Sequence, residues 1–135
     1  MDILAYNYVL QGLIDFNQKA DKNYGNVVVS LPPSDPTFPL TVFAEIRNTA
    51  NPLYNATHEK VASVGYRADI FAKTKGKVDK QTIAREIAVI VDEYLTNIGL
   101  TRISFNLEEL VNDASIVRII LTYSGNLQET RRRFI

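Results

Sequence analysis

The stretch VDKQTIAREIAVIVDEYLTNIGL, residues 78–100, predicts one long amphipathic helix, and this helix decides the fold. Asp79 is a suitable N-cap for the first free backbone N–H groups. Gly99 followed by Leu100 is typical of a Schellman stop, in which a glycine takes a positive φ. A helix with a single apolar stripe lies across a flat apolar surface, which predicts a sheet beside it. The stripe consists of Ile83, Ile87, Ile90, Val91, Tyr94, Leu95 and Ile98.

Two pairs of alternating segments flank this helix and predict the strands of that sheet. Before the helix, alternation over residues 40–47 and 61–73 favours two antiparallel strands joined by a long polar loop. After the helix, residues 103–107 and 115–125 favour a second pair. The last of these segments has apolar side chains on both faces, so we expect it at the centre of the sheet.

A shorter helix is predicted within residues 1–25, where apolar residues again recur at helical spacing behind a possible N-cap at Asp2. Gly12 in its middle costs about 1 kcal/mol relative to alanine, so this helix should depend on docking. The stripe consists of Ile3, Tyr6, Leu10, Leu13 and Ile14.

These segments predict a single domain over residues 1–135, with the element order α-β-β-α-β-β. The core spans residues 40–127, an extended proline-rich connector spans 26–39, and a basic tail spans 128–135. The predicted class is α+β, with an antiparallel or mixed sheet of about four strands and both helices on one face.

Composition narrows the function classes. Fifteen basic and fifteen acidic residues cancel, so the chain has no overall attraction to nucleic acid or to an anionic membrane. The absence of cysteine excludes disulfides and cysteine-rich metal sites. The first residues lack the basic region of a secretory signal and are too polar to span a bilayer. No phosphate-binding loop, nucleophile elbow or paired-histidine motif is present, and we expect no cofactor, no metal and no enzymatic activity.

Three residues are the candidates for a small enzyme of unfamiliar type. His58 is the only histidine and has no spaced partner, which favours an ordinary surface residue. Glu108 and Glu109 are adjacent on a predicted strand, so their side chains point to opposite faces. A shared carboxylate site is therefore not expected.

The basic tail is the one cluster of like charge. Three consecutive arginines can contact phosphates or an acidic protein surface, or they can form a frayed, solvated terminus. Phe134 and Ile135 would be unused apolar groups on a tail that never docks, so the sequence leaves both possibilities open. A nucleic-acid-binding module built on this tail and Arg67 is one alternative function.

Residues 61–127, from VASVGYRADI to SGNL, resemble the core of the tail-terminator (tail completion) proteins of long-tailed bacteriophages, and the resemblance extends over residues 40–127. It lies in the order of elements: an alternating strand, a Lys/Gly turn, the long helix ending in Gly99, then two strands. This resemblance implies a ring of identical subunits, typically a hexamer, at the head-proximal end of the tail tube. The ring ends tube polymerisation and presents the head-joining surface, without catalysis.

The resemblance also implies partners and a location. The partners are a tail tube protein and a head-completion or connector protein, while DNA passes through the lumen without specific binding. The protein is expected in the virion tail after assembly in the host cytoplasm, with no membrane contact. Another head–tail joining protein is an alternative within the same class.

Two sets of contact residues are predicted. We expect the sheet face opposite the helices to be partly apolar and covered by the proline-rich connector or by another copy of the chain. The residues predicted to contact neighbouring subunits there are Phe43, Glu45, Arg67, Asp69 and Arg118. The residues predicted to contact axial partners are Asn51, Tyr54, His58, Glu59, Arg131, Arg132 and Arg133.

Overall fold

A computed structural model of the chain describes residues 5–20, 27–31, 34, 36–50, 61–110, 113–128 and 133–134. Within these residues the fold is α+β, as predicted, with two helices and a mixed sheet. The helices are α1 (Ala5–Ala20) and α2 (Lys80–Asn97). The strands are β1 (Val27–Val29), β2 (Leu40–Ala50), β3 (Val61–Lys73), β4 (Thr101–Glu109), β5 (Ile116–Gln128) and β6 (Arg133–Phe134).

Both ends of α2 are those the sequence predicts. The Asp79 side chain accepts a hydrogen bond from the Gln81 backbone N–H at 3.0 Å, which caps the first turn. At the other end, the Gly99 N–H donates to Thr96 O and the Leu100 N–H donates to Leu95 O, both at 3.1 Å. Gly99 has φ +108°, and this pair of bonds completes the Schellman motif.

The sheet has the strand order β1-β2-β3-β5-β4, with the two-residue β6 pairing with the end of β5. β1 runs parallel to β2, and all other pairs are antiparallel. The predicted count of about four strands was low, because β1 lies inside the segment interpreted as a connector. The predicted centre was also wrong: β3 is the middle strand, and β5 lies between β3 and β4.

Both helices lie on one face of the sheet, as predicted. α2 packs against β3 and β5, while α1 packs against α2 and β1. Buried side chains of α2 meet alternate side chains of the two strands beneath it. The fully buried residues of this layer include Ile83, Ile87, Val91, Leu95, Val64, Ala68, Ile70, Ile119 and Leu121.

An aromatic cluster joins α1 to the sheet. Tyr6 on α1 stacks on Phe43 with ring centroids 5.6 Å apart, and Phe43 stacks on Tyr66 at 5.3 Å. Phe134 meets Tyr66 edge-on at 6.3 Å, and the Tyr6 hydroxyl donates to the Phe43 carbonyl. Phe134 thus packs within this cluster, which connects α1, β2, β3 and β6.

Gly12 lies where α1 meets the Tyr94 side chain of α2. A Cβ atom at this position would lie 1.8 Å from the Tyr94 hydroxyl oxygen, and the Tyr94 ring packs on Phe16 with centroids 5.4 Å apart. The glycine that weakens α1 on its own therefore makes room for its contact with α2.

We expect Gly12→Ala to lower the free energy of unfolding by about 1–3 kcal/mol, because the clash with Tyr94 exceeds the gain of about 1 kcal/mol in helix propensity. In a Tyr94→Ala background the same substitution should be neutral or stabilising. Urea unfolding of the four chains measures both effects, and Asn7→Ala on the exposed side of α1 is the matched control. Equal effects of Gly12→Ala in both backgrounds would contradict this interpretation.

Candidate assembly surface

The sheet face opposite the helices, called here the outer face, carries a row of four charged side chains across three strands. Arg118 on β5 contacts Asp69 on β3 at 2.8 Å and Glu108 on β4 at 3.3 Å. Arg67 contacts the other oxygen of Asp69 at 3.3 Å. We call these four residues the ionic ladder. Three of the five residues predicted for the subunit interface, Arg67, Asp69 and Arg118, lie together in it.

Asp69 is the most buried member of the ionic ladder, with 5% of its surface exposed. An isolated carboxylate at this depth would be costly, and the two guanidinium groups offset that cost. Arg118 also lies over the Phe71 ring, with its guanidinium carbon 5.6 Å from the ring centre. The ladder is thus a preformed arrangement with zero net charge.

The connector covers one end of the outer face. Pro36 and Phe38 line a small apolar depression together with Leu40, Phe71 and Ile116. Lys73 lies over the Phe38 ring at 5.0 Å from its centre. The predicted cover by the proline-rich segment is therefore observed at this end, where it buries the apolar side chains that begin β2 and β5.

The predicted outer-face positions of Phe43 and Glu45 are wrong. Phe43 pairs with Ala68 and Glu45 with Tyr66, so both belong to the helix side of β2. Phe43 is fully buried in the aromatic cluster of its own chain. Glu45 is exposed near Tyr6, whose pKa is raised first by burial and then by this carboxylate. Alternation in the sequence separates the two faces of β2 without saying which one faces the helices.

The predicted axial contacts fall outside the described residues, with one exception. Asn51, Tyr54, His58 and Glu59 belong to the undescribed loop between β2 and β3, and Arg131 and Arg132 precede β6. Arg133 pairs with Gln128 in the backbone of the sheet. The axial role of all seven stays a prediction.

A second surface, which sequence reasoning missed, is the groove between α2 and β4. Val89 on α2 is 65% exposed, and Phe105 on β4 is 37% exposed, although both are large apolar side chains. Arg85 lies over the Phe105 ring at 5.7 Å. The residues lining the groove are Arg85, Ala88, Val89, Asp92, Glu93, Arg102, Phe105 and Leu121. The alternation of β4 was visible in the sequence, but its position at the edge of the sheet was not.

Three polar side chains at this groove contact one another. The Tyr123 hydroxyl donates to Asp92 at 2.7 Å, and Arg102 pairs with the other oxygen of Asp92 at 3.5 Å. Burial raises the pKa of Tyr123 strongly, and the hydrogen bond to Asp92 raises it further. Tyr123 therefore stays neutral and links α2 to β5.

Glu108 and Glu109 lie on opposite faces of the sheet, as predicted, and Glu109 pairs with Lys80 at 3.5 Å.

Neither helix in the described residues has the length and apolarity needed to cross a membrane. Nowhere in the described ranges do three or more acidic or histidine side chains come together in a way that could bind a metal ion.

No protein-family model matches the sequence, and no curated protein matches it. The fold does match a chain in a solved structure described as "Virion of native gene transfer agent (GTA) particle". The TM-score is 0.53, the sequence identity is 16%, and the alignment covers 90% of each chain. At this identity the likeness shows a shared fold over nearly the whole length.

We expect Asp69→Ala to lower the free energy of unfolding by about 1–3 kcal/mol, because it leaves Arg118 half-buried without its main counter-ion. Glu108→Ala should cost at most about 1 kcal/mol, since that pair is exposed to solvent. Chemical denaturation measures both. A cost of Asp69→Ala no greater than that of Glu108→Ala would show that the ladder does not depend on Asp69.

The buried tyrosines predict a loss of stability at alkaline pH. The pKa of Tyr123, and also those of Tyr6 and Tyr94, are raised above the ordinary value. A raised folded-state pKa stabilises the protein fully below the unfolded value of about 10, and this contribution is lost as the pH rises beyond it. We expect the unfolding free energy of Tyr123→Phe to fall less steeply than that of the wild type between about pH 9 and 11. Identical slopes would contradict this.

Proposed function

We propose that this chain is a structural protein of a phage-like particle and forms a ring at the head-proximal end of the tail tube. In this role the ring ends tube polymerisation and presents the surface that joins the head. Its partners are further copies of the chain, the tail tube protein and a head-completion or connector protein. DNA passes through the lumen without sequence-specific contacts, and the role requires no catalysis.

The observation that supports this proposal most is the shared fold with a chain of the gene transfer agent virion, over 90% of both chains. Because the alignment covers nearly all of both chains, the likeness is not confined to one motif. The resemblance of residues 61–127 to tail terminators supplies the finer position within the particle.

The surface chemistry is compatible with an assembly role. Val89 and Phe105 line the same groove and are both exposed, and large exposed apolar side chains that lie close together are typical of protein contacts. Of the ionisable groups in the groove, Asp92 is engaged by Arg102 and Tyr123, and Arg85 lies on Phe105. These contacts favour a structural use of the groove over an enzymatic one.

Light scattering of the isolated protein across a wide concentration range, followed by negative-stain electron microscopy, tests the proposal. We expect the mass to rise to a fixed multiple of the subunit and the particles to be annular, because a heterologous contact that closes by rotation gives a ring. Tail tubes purified from the parent particle should stop growing when the protein is added.

Three outcomes would count against the proposal. A chain that stays monomeric and leaves tube growth unchanged would overturn it. Binding to duplex DNA that weakens steeply with salt would instead favour the nucleic-acid-binding alternative. Capture of a connector without any effect on tube length would point to another head–tail joining protein.

A further inference from the structure

β4 is an edge strand with one free side. Eight of its nine residues align with β5 and Ile103 is the extra residue at a bulge, yet seven of the nine are exposed to solvent. Among the residues that the structure describes, no strand pairs with the other edge of β4. An edge of this kind presents unpaired N–H and C=O groups to any strand that approaches it.

The free backbone groups of β4 belong to particular residues. Directly after β4, the Leu110 N–H donates to Ile116 O, at the start of β5, at 3.3 Å. Successive residues of a strand direct their backbone groups to opposite edges, so alternate residues of β4 direct theirs away from β5. These residues are Phe105, Leu107 and Glu109.

The side chains on the helix side of β4 have an order that is complementary to its own reverse. Arg102 at one end and Glu109 at the other each form an ion pair with α2 at 3.5 Å. Between them, Phe105 and Leu107 pair with β5 residues of the buried core layer. Along this side the strand therefore has a cation, an aromatic ring, an aliphatic side chain and an anion. A second copy in the antiparallel direction presents the matching sequence of groups.

We propose that two copies of the free chain pair through β4, antiparallel, around a two-fold axis at Asn106. With the bulge left out of the count, this register places Arg102 opposite Glu109 of the second copy, and Phe105 opposite Leu107 of the second copy. Each pair occurs twice, and the outward backbone groups form the hydrogen bonds between the two strands. The axis is perpendicular to the sheet, so the helices of both copies stay on one side of a continuous sheet.

Neighbouring registers lose this match. Moving the axis to Phe105 puts Arg102 opposite Leu107, and moving it to Leu107 puts Glu109 opposite Phe105. In both cases a charge faces an apolar side chain, whereas cross-strand pairs of opposite charge and pairs of apolar side chains stabilise a sheet. The register at Asn106 is therefore favoured by charge and by burial together.

This pairing goes beyond the proposed ring. Subunits of a ring at the end of a tube all point the same way, whereas two copies related by this axis point in opposite directions. The pair is therefore a state of the free chain, in which each copy covers an edge that would otherwise be open to unrelated strands.

Because the chain contains no cysteine, one engineered cysteine tests the register. Asn106 is exposed on the outer face, and at the axis its Cα lies about 4.5 Å from that of its mate, which suits a disulfide. Asn106→Cys should therefore give a covalent dimer and no larger species after mild oxidation, on a non-reducing gel. The matched control is Ser104→Cys on the same face of β4, whose two copies lie about 13 Å apart and should not cross-link.

A charge exchange between chains tests the ion pairs. Arg102→Glu and Glu109→Arg each place two pairs of like charge in the dimer and should each raise its dissociation constant, measured by sedimentation equilibrium, by about tenfold or more. An equimolar mixture of the two variants should recover to within about threefold of the wild type, because the mixed dimer again has two pairs of opposite charge. Glu86→Arg, at an exposed position of α2 outside the groove, is the control that leaves the constant unchanged. Circular dichroism confirms that each variant is folded.

The outcomes separate this pairing from the proposed function. A covalent dimer of Asn106→Cys, together with recovery in the mixture of charge variants, supports the pairing. Cross-linking of Ser104→Cys to the same extent overturns it, as does a wild-type chain that forms no dimer at any concentration up to that at which rings form. Neither result bears on the ring, which is judged by annular particles and by tube growth.

Discussion

The coverage of a five-stranded sheet by only two helices is the constraint on which the rest of this structure depends. A helix with its side chains is about 10 Å wide and strands are about 4.8 Å apart, so two helices cover about four strands. α2 covers β3 and β5 because its stripe of isoleucine, valine and leucine buries against them. β4 is the strand that the two helices cover least, so a groove remains between β4 and α2.

The position of α1 depends on packing contacts with α2 and the sheet, although Gly12 lowers the helix propensity of α1. Gly12 weakens α1 as an isolated helix, yet only glycine allows α1 to approach Tyr94 on α2. The aromatic cluster of Tyr6, Phe43, Tyr66 and Phe134 then fixes α1 over the β1 side of the sheet. Packing between elements, rather than helix propensity, thus decides where the helix layer ends and which strand stays bare.

Sequence reasoning succeeded where a signal was local. The capping residue Asp79, the stop at Gly99 and the antiparallel pairs β2–β3 and β4–β5 all have short-range patterns, and the structure has them. It failed where the answer depends on distant packing. Alternation in β2 is the same whichever face is buried, so Phe43 was assigned to the wrong side. β1 is three residues long, too short to distinguish from an extended connector without seeing its partner.

The two candidate surfaces, the ionic ladder and the groove beside β4, differ in the free energy that is gained when a partner covers them. In the ionic ladder each carboxylate already faces a guanidinium, so covering it desolvates charges without forming new pairs, which costs free energy. The groove beside β4 presents Val89 and Phe105 next to the unpaired backbone groups of an edge strand, and covering it buries apolar area and completes hydrogen bonds. The larger gain on association therefore lies at the edge strand, and the ladder is better suited to a face that stays in contact with water.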